Sequence, residues 1–142
     1  MPETIEFEIF GKPTPKARPR FTRNGRTYTD AKTKTAEANV LIAFFGAASH
    51  RKAHEGPVEI EVVATFEPAT SWPKKKIAKA LAGELEHTSR PDVDNLLKIV
   101  DGLNGRAWLD DSQIIRATVT KRYGDKASTL FRITFHETER NN

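Results

Sequence analysis

The stretch Arg90-Pro91-Asp92-Val93-Asp94-Asn95-Leu96-Leu97-Lys98 runs on through Asp101-Gly102-Leu103-Asn104-Gly105 to Trp108-Leu109-Asp110-Asp111-Ser112-Gln113-Ile114-Ile115. Five Asp residues crowd into it, although the chain carries 23 Lys and Arg against 19 Asp and Glu. Acid concentrated in a basic chain calls for a physical reason. Val93, Leu96, Leu97, Val100 and Leu103 recur at the three-four spacing of a helix with one buried side, which leaves Asp94, Lys98 and Asp101 on the exposed side. Asp94 and Lys98 are four apart, so their Cβ atoms fall about 5–6 Å from each other. Asp101, on the same side, would pair with Lys98 or cap the helix end.

Asp92 would point away from Asp94 if both were helical, because two residues turn roughly 200° about the axis. Pro91 removes the conflict. It disfavours helical backbone at Arg90 and suits a first turn, leaving Asp92 at the boundary and Asp94 just inside. Both carboxylates then meet at a helix N-terminus, where the dipole favours the ionised form that a divalent cation requires. The helix should end between Gly102 and Gly105, where Asn104-Gly105 signals a turn. From Asp111 to Tyr123 the chain reads as a strand, with Ile115, Ala117 and Val119 alternating against Arg116, Thr118 and Thr120. Neighbouring strand residues face opposite ways, so one of Asp110 and Asp111 is a ligand candidate and the other a turn or capping residue.

Working outward, three more strands follow from alternation: Thr4–Phe10 through Ile5, Phe7 and Ile9; Pro57–Phe66 through Val58, Ile60, Val62, Ala64 and Phe66; and Thr129–His136 through Phe131, Ile133 and Phe135. Gly124-Asp125-Lys126 would join the last two strands as a hairpin. Asp30 opens a helix reaching about His50, with the stripe Ala36, Val40, Leu41, Phe44 and Ala48, and Ser71-Trp72-Pro73 starts a shorter one. The order β-α-β-α-α-β-β describes an α+β fold, a mixed four-stranded sheet with covering helices. At 142 residues the chain suits a single domain over 1–142, with a frayed tail at about 138–142.

The positive charge is unevenly placed. Residues 12–34 hold Lys12, Lys16, Arg18, Arg20, Arg23, Arg26, Lys32 and Lys34 against one acid, Asp30. Pro13, Pro15 and Pro19 should keep the loop at about 11–29 free of regular structure until Thr27. Such a block is either a solvated tether or an arm for phosphates, and Phe21 and Tyr28 among the cations favour nucleic acid. Lys74, Lys75, Lys76 and Lys79 form a second basic face just before the acidic motif. The DNA-binding candidates are therefore Lys16, Arg18, Arg20, Arg23, Arg26, Lys74, Lys75 and Lys76.

The chain has no Cys, which removes disulfide frameworks and thiolate metal sites, and no apolar run long enough for a membrane span; a cytoplasmic setting is expected. His50 and His54 share a metal-like spacing, but Gly56-Pro57 follows at once, and they read as a surface helix end. His87 and His136 have no distinctive neighbours in sequence.

The run Asp92-Val93-Asp94-Asn95-Leu96-x-Lys98, followed by Asp110-Asp111-Ser112-Gln113-Ile114, resembles the RusA family of Holliday-junction resolvases, and Gly11-Lys12-Pro13 through Tyr28 resembles that family's opening segment. The likeness implies a homodimeric, magnesium-dependent endonuclease, often phage- or prophage-encoded, that resolves four-way DNA junctions by paired symmetric nicks in recombination and repair. By position it implies Asp92, Asp94, Lys98 and Asp111 as catalytic residues. Asp92, Asp94 and Asp111 would be the metal ligands, for one or two Mg2+ ions, with Mn2+ as a substitute. Two other readings fit the same residues: a nuclease for other branched DNA, and a catalytically silent protein that binds junctions.

Overall fold

The computed structural model describes residues 2–17, 20–28 and 30–138. The expectations for Arg18, for the side chains of Arg20 and Tyr28, and for the tail from 139 onward lie outside the described residues. In chain order the elements are β1 (Glu3–Phe10), β2 (Arg20–Phe21), β3 (Thr27–Tyr28), α1 (Ala31–Ala48), β4 (Val58–Phe66), α2 (Lys74–Leu81), α3 (Val93–Leu97), β5 (Ile114–Tyr123) and β6 (Ser128–Phe135). Two 3-10 segments, Lys98–Leu103 and Asp111–Gln113, stand between α3 and β5.

The main sheet is mixed and four-stranded, in the order β1-β6-β4-β5. The α+β class and the succession of its main elements agree with the sequence. Alternation sets the faces: Ile5 and Phe7, Phe131, Ile133 and Phe135, and Val58, Ile60, Val62 and Ala64 are buried on one side. There Phe7 stacks on Phe131 at 5.0 Å, and Phe44 of α1 meets Phe7 and Phe135 edge-on. On the other side Arg132 donates to Glu6 and Glu61 across three strands.

The hairpin expected between the last two strands does not form. β4 lies between them, antiparallel to β6 and parallel to β5. The parallel pair needs a long crossover, which α2, α3 and the 3-10 segments supply. After β5 the chain turns past the end of β4: Gly124 N–H donates to Phe66 O at 2.9 Å, and a Cβ at Gly124 would stand 2.5 Å from Thr65 Cγ2. Placing β4 centrally leaves β5 at the sheet edge, so Ala117 is exposed, and Ile115, at the register shift opposite Val58/Glu59, is 64% exposed.

Three smaller readings are also corrected. The Pro-rich loop contains the β2–β3 ribbon, closed by Thr22 N–H to Arg26 O at 2.7 Å, because the three prolines all precede it. The strand expected from Asp111 starts at Ile114, after a 3-10 turn. The helix expected from Val93 to about Leu103 is α-helical only to Leu97 and then tightens. At Gly102 the tightened segment meets α1 so closely that a Cβ would lie 2.5 Å from Glu37 O.

That approach generates a stability prediction. Gly102→Ala must push two backbones apart, and overpacking of this kind costs about 1–3 kcal/mol. Urea denaturation should show a lowered midpoint with an unchanged slope.

Candidate active site

Four apolar residues fix the acidic segment. Leu96, Ile99, Val100 and Leu103 are 0–4% exposed, and Leu96 packs against Ala64 and Phe66 of β4 and against Val119 and Tyr123 of β5. The opposite side of the segment is thereby turned to solvent. Asp92 occupies the N-cap position in extended backbone, and its carboxylate makes no capping bond to the helix. Asp94 follows in the first turn, exposed, with Lys98 Nζ 3.7 Å from its Oδ2. Lys98 is also the residue at which the α-helix gives way to the 3-10 segment.

The later Asp pair is divided by its hydrogen bonds. Asp110 caps the Asp111–Gln113 turn: its Oδ2 accepts from Ser112 N–H at 2.9 Å, while Gln113 Oε1 accepts from Asp110 N–H at 2.8 Å. Those bonds to Ser112 hold the Asp110 carboxyl below its usual range. Asp111 instead accepts at Oδ1 from the indole N–H of Trp108 at 2.9 Å, and Trp108 is fully buried. Gln113 Nε2 donates to the carbonyls of His54 and Gly56, so the turn is pinned to the strap leading into β4.

This strap corrects the reading of the histidines. His54 is no surface helix end, because α1 stops at Ala48; its ring bonds to His136 O at 2.7 Å and its backbone bridges Trp108. His136 is paired with Glu59 at 2.7 Å. His87 stacks on Phe66, with ring centroids 4.1 Å apart, and leans on Tyr123. Burial, with the charge of Lys121 adding to it, pushes the His87 pKa down.

The basic loop is brought to the acidic segment across a long sequence gap. Lys16 N–H donates to Asn95 O at 2.8 Å, and Lys16 Nζ reaches Asp101 at 2.9 Å and Glu37 at 3.6 Å. Asp101 is therefore taken by Lys16 rather than by Lys98. Burial works against the Lys16 ammonium, but its bond to Asp101 and the charges of Asp101 and Glu37 outweigh this and raise its pKa. Pro15, Lys16 and Ala17 form one wall of an open groove, with Arg90, Pro91, Asp92 and Asn95 on the other. Phe21, Arg23 and Arg26 stand exposed on the β2–β3 ribbon. On α2, Lys74 and Lys75 are exposed, and Lys76 Nζ sits 3.9 Å over the Trp72 ring, which in turn meets Tyr123 of β5.

The donor chemistry suits a hard divalent cation: Asp92 and Asp94, two positions apart at the start of α3, both offer exposed carboxylate oxygens, and Asp111 offers another that is partly buried. Among the described residues no three acidic or His side chains stand together in a group that could hold a metal ion, so Asp111 is not gathered with Asp92 and Asp94. Mg2+ does not need such a group of three, since it keeps several waters and commonly takes one or two carboxylates together with substrate phosphates. Sequence patterning missed Trp108 and Gln113. Trp108 adjoins the Asp pair in sequence, but no spacing rule gives an indole N–H to a carboxylate three residues on.

A family model for Endodeoxyribonuclease RusA matches residues 11–134, a span that includes the basic loop and every Asp described above. The chain is also 34% identical over 130 residues to YqaN, an uncharacterized protein of Bacillus subtilis strain 168, an alignment covering 87% of this chain and 91% of that one.

The Asp110 cap carries a pH dependence. Its carboxyl is held below the ordinary value of 3.8, so the ionised cap stabilises the fold above that value, and the contribution is lost as pH falls through the lower folded one. Melting temperatures for wild type and Asp110→Ala should differ at neutral pH and converge in acid.

Proposed function

The chain belongs to the RusA endodeoxyribonuclease family, and from that premise we propose that it is a magnesium-dependent nuclease resolving four-way DNA junctions. The observation that carries the reading is the juxtaposition of an exposed Asp92/Asp94/Lys98 cluster with the cationic loop that lies against it through Lys16 and Asn95. Carboxylates alone would repel a polyanion. Arg90 in the groove and the exposed Arg23 and Arg26 of the loop offset that repulsion and bring the phosphate backbone to the acids.

In this reading Asp92 and Asp94 would hold the cation, and Asp111, its Oδ1 bonded by Trp108, would supply a further oxygen. The bound metal ion supplies Lewis-acid stabilisation of the phosphoryl oxygens and a more acidic water. Lys98, kept beside Asp94, faces the charge that builds on the phosphate as the P–O bond breaks. Arg23, Arg26, Lys74 and Lys75 contact backbone phosphates, and exposed Phe21 offers a face to an unstacked base. Four-way junctions approximate two-fold symmetry, so a homodimer presenting two such sites matches the need for two cuts.

The test is cleavage of a synthetic mobile four-way junction beside a matched linear duplex, with and without Mg2+. Paired symmetric nicks that need the metal and spare the duplex are expected; equal cleavage of both substrates would sink the junction specificity. Asp94→Asn should lower the cleavage rate about 100-fold or more, the scale of several kcal/mol of lost charge stabilisation, while junction binding in gel-shift persists. Undiminished cutting by that variant would remove Asp94 from the mechanism.

A further inference from the structure

We propose that Lys121 is a positioning residue that sets the Arg90-Pro91-Asp92 segment, and with it the first carboxylate of the site; this rests on the reading of Asp92 as a metal ligand. Lys121 sits on β5, opposite Ala64 of β4 in the parallel register, where the small partner leaves room for its side chain. Its Nζ donates to Ser89 O at 2.7 Å and to Pro91 O at 3.0 Å. The second carbonyl belongs to the peptide unit that joins Pro91 to Asp92. Two of the three ammonium donors therefore bracket the residues that lead into the acidic motif.

The loop has little else to hold it. Among the described residues, no backbone–backbone hydrogen bond outside the regular elements begins or ends within residues 85–91. Pro91 has no N–H to give. The segment is secured by His87, stacked between Phe66 and Tyr123, and by Lys121, whose two bonds are of the stronger, charge-assisted kind.

Groups that orient a metal ligand typically change metal affinity or activity about 10–100-fold when removed. Lys121→Met, which keeps the apolar stem, should therefore weaken Mn2+ binding to the DNA-free protein by about 10-fold or more, measured by titration calorimetry. It should raise the Mg2+ midpoint for cleavage and lower kcat, while junction affinity measured without divalent metal stays within about two-fold. Amide exchange at Asp92–Leu97 should accelerate, and Lys121→Arg, which retains a charged donor, should recover most of each effect. A merely structural lysine would alter the melting temperature without moving the metal midpoint.

Unchanged Mn2+ binding and unchanged exchange in Lys121→Met would overturn the assignment. So would a loss confined to junction affinity, which would make Lys121 a DNA contact. If the wild-type protein neither binds Mn2+ nor cleaves, the nuclease reading fails by itself; exchange at Asp92–Leu97 then decides whether Lys121 holds the segment.

Discussion

Burial of Leu96 is the constraint on which the site depends. At 2% exposure, it locks α3 against β4 and β5, and Ile99, Val100 and Leu103 continue the contact into the main core. Each such side chain contributes about 1.5–3 kcal/mol on leaving water. An exposed pair such as Asp94–Lys98 contributes about 0.3–0.5 kcal/mol at best. Apolar packing therefore decides where the segment lies, and the charged side is presented as a consequence. The polar groups are free to be selected for chemistry because they are not needed for folding.

Electrostatics then works through compensation. Asp92, Asp94, Asp101, Asp110 and Asp111 would form an anionic strip repelling any phosphate, but the fold assigns several of them local partners. Asp101 is neutralised by Lys16, Asp110 is spent on its cap, and Asp111 accepts from Trp108. Asp92 and Asp94 are left facing solvent, with Lys98 beside them. The same Lys16 that neutralises Asp101 also ties its own loop to Asn95, so one residue shields charge and closes the groove.

Much of this was legible in the sequence, and what was not has a common cause. Period-two alternation in β1, β4 and β6 marks both strand and buried face, since each residue's direction depends only on its neighbours. The helical phase that places Asp94 and Lys98 together is likewise local. Pairing is not: no residue in β5 or β6 announces that β4 will lie between them, and a short Gly-containing turn between two strands reads as a hairpin. The 3-10 tightening after Leu97 accompanies the close approach of Gly102 to Glu37, sixty-five positions away. Gln113, His54 and Lys121 were invisible as positioning groups for the same reason, because each acts through a hydrogen bond to a backbone carbonyl whose location the topology decides, whereas Trp108 reaches Asp111 only three positions on, through a contact that no spacing rule supplies.

Local signals thus name the ligand candidates, while non-local contacts aim them. Such a division suits a site that its substrate completes. Since no three acidic or His side chains are grouped among the described residues, in the proposed mechanism the protein would contribute two exposed carboxylates on a packed segment and a third whose position is fixed by an indole. Mg2+ would suit such a site, because it keeps several waters and commonly takes one or two carboxylates together with substrate phosphates. In the proposed mechanism, a DNA strand held along the groove by its phosphates would then be a part of the metal site as well as its target. Metal binding and DNA binding would in consequence be coupled, each strengthening the other, and small errors in where Arg90-Pro91-Asp92 sits would be felt by both.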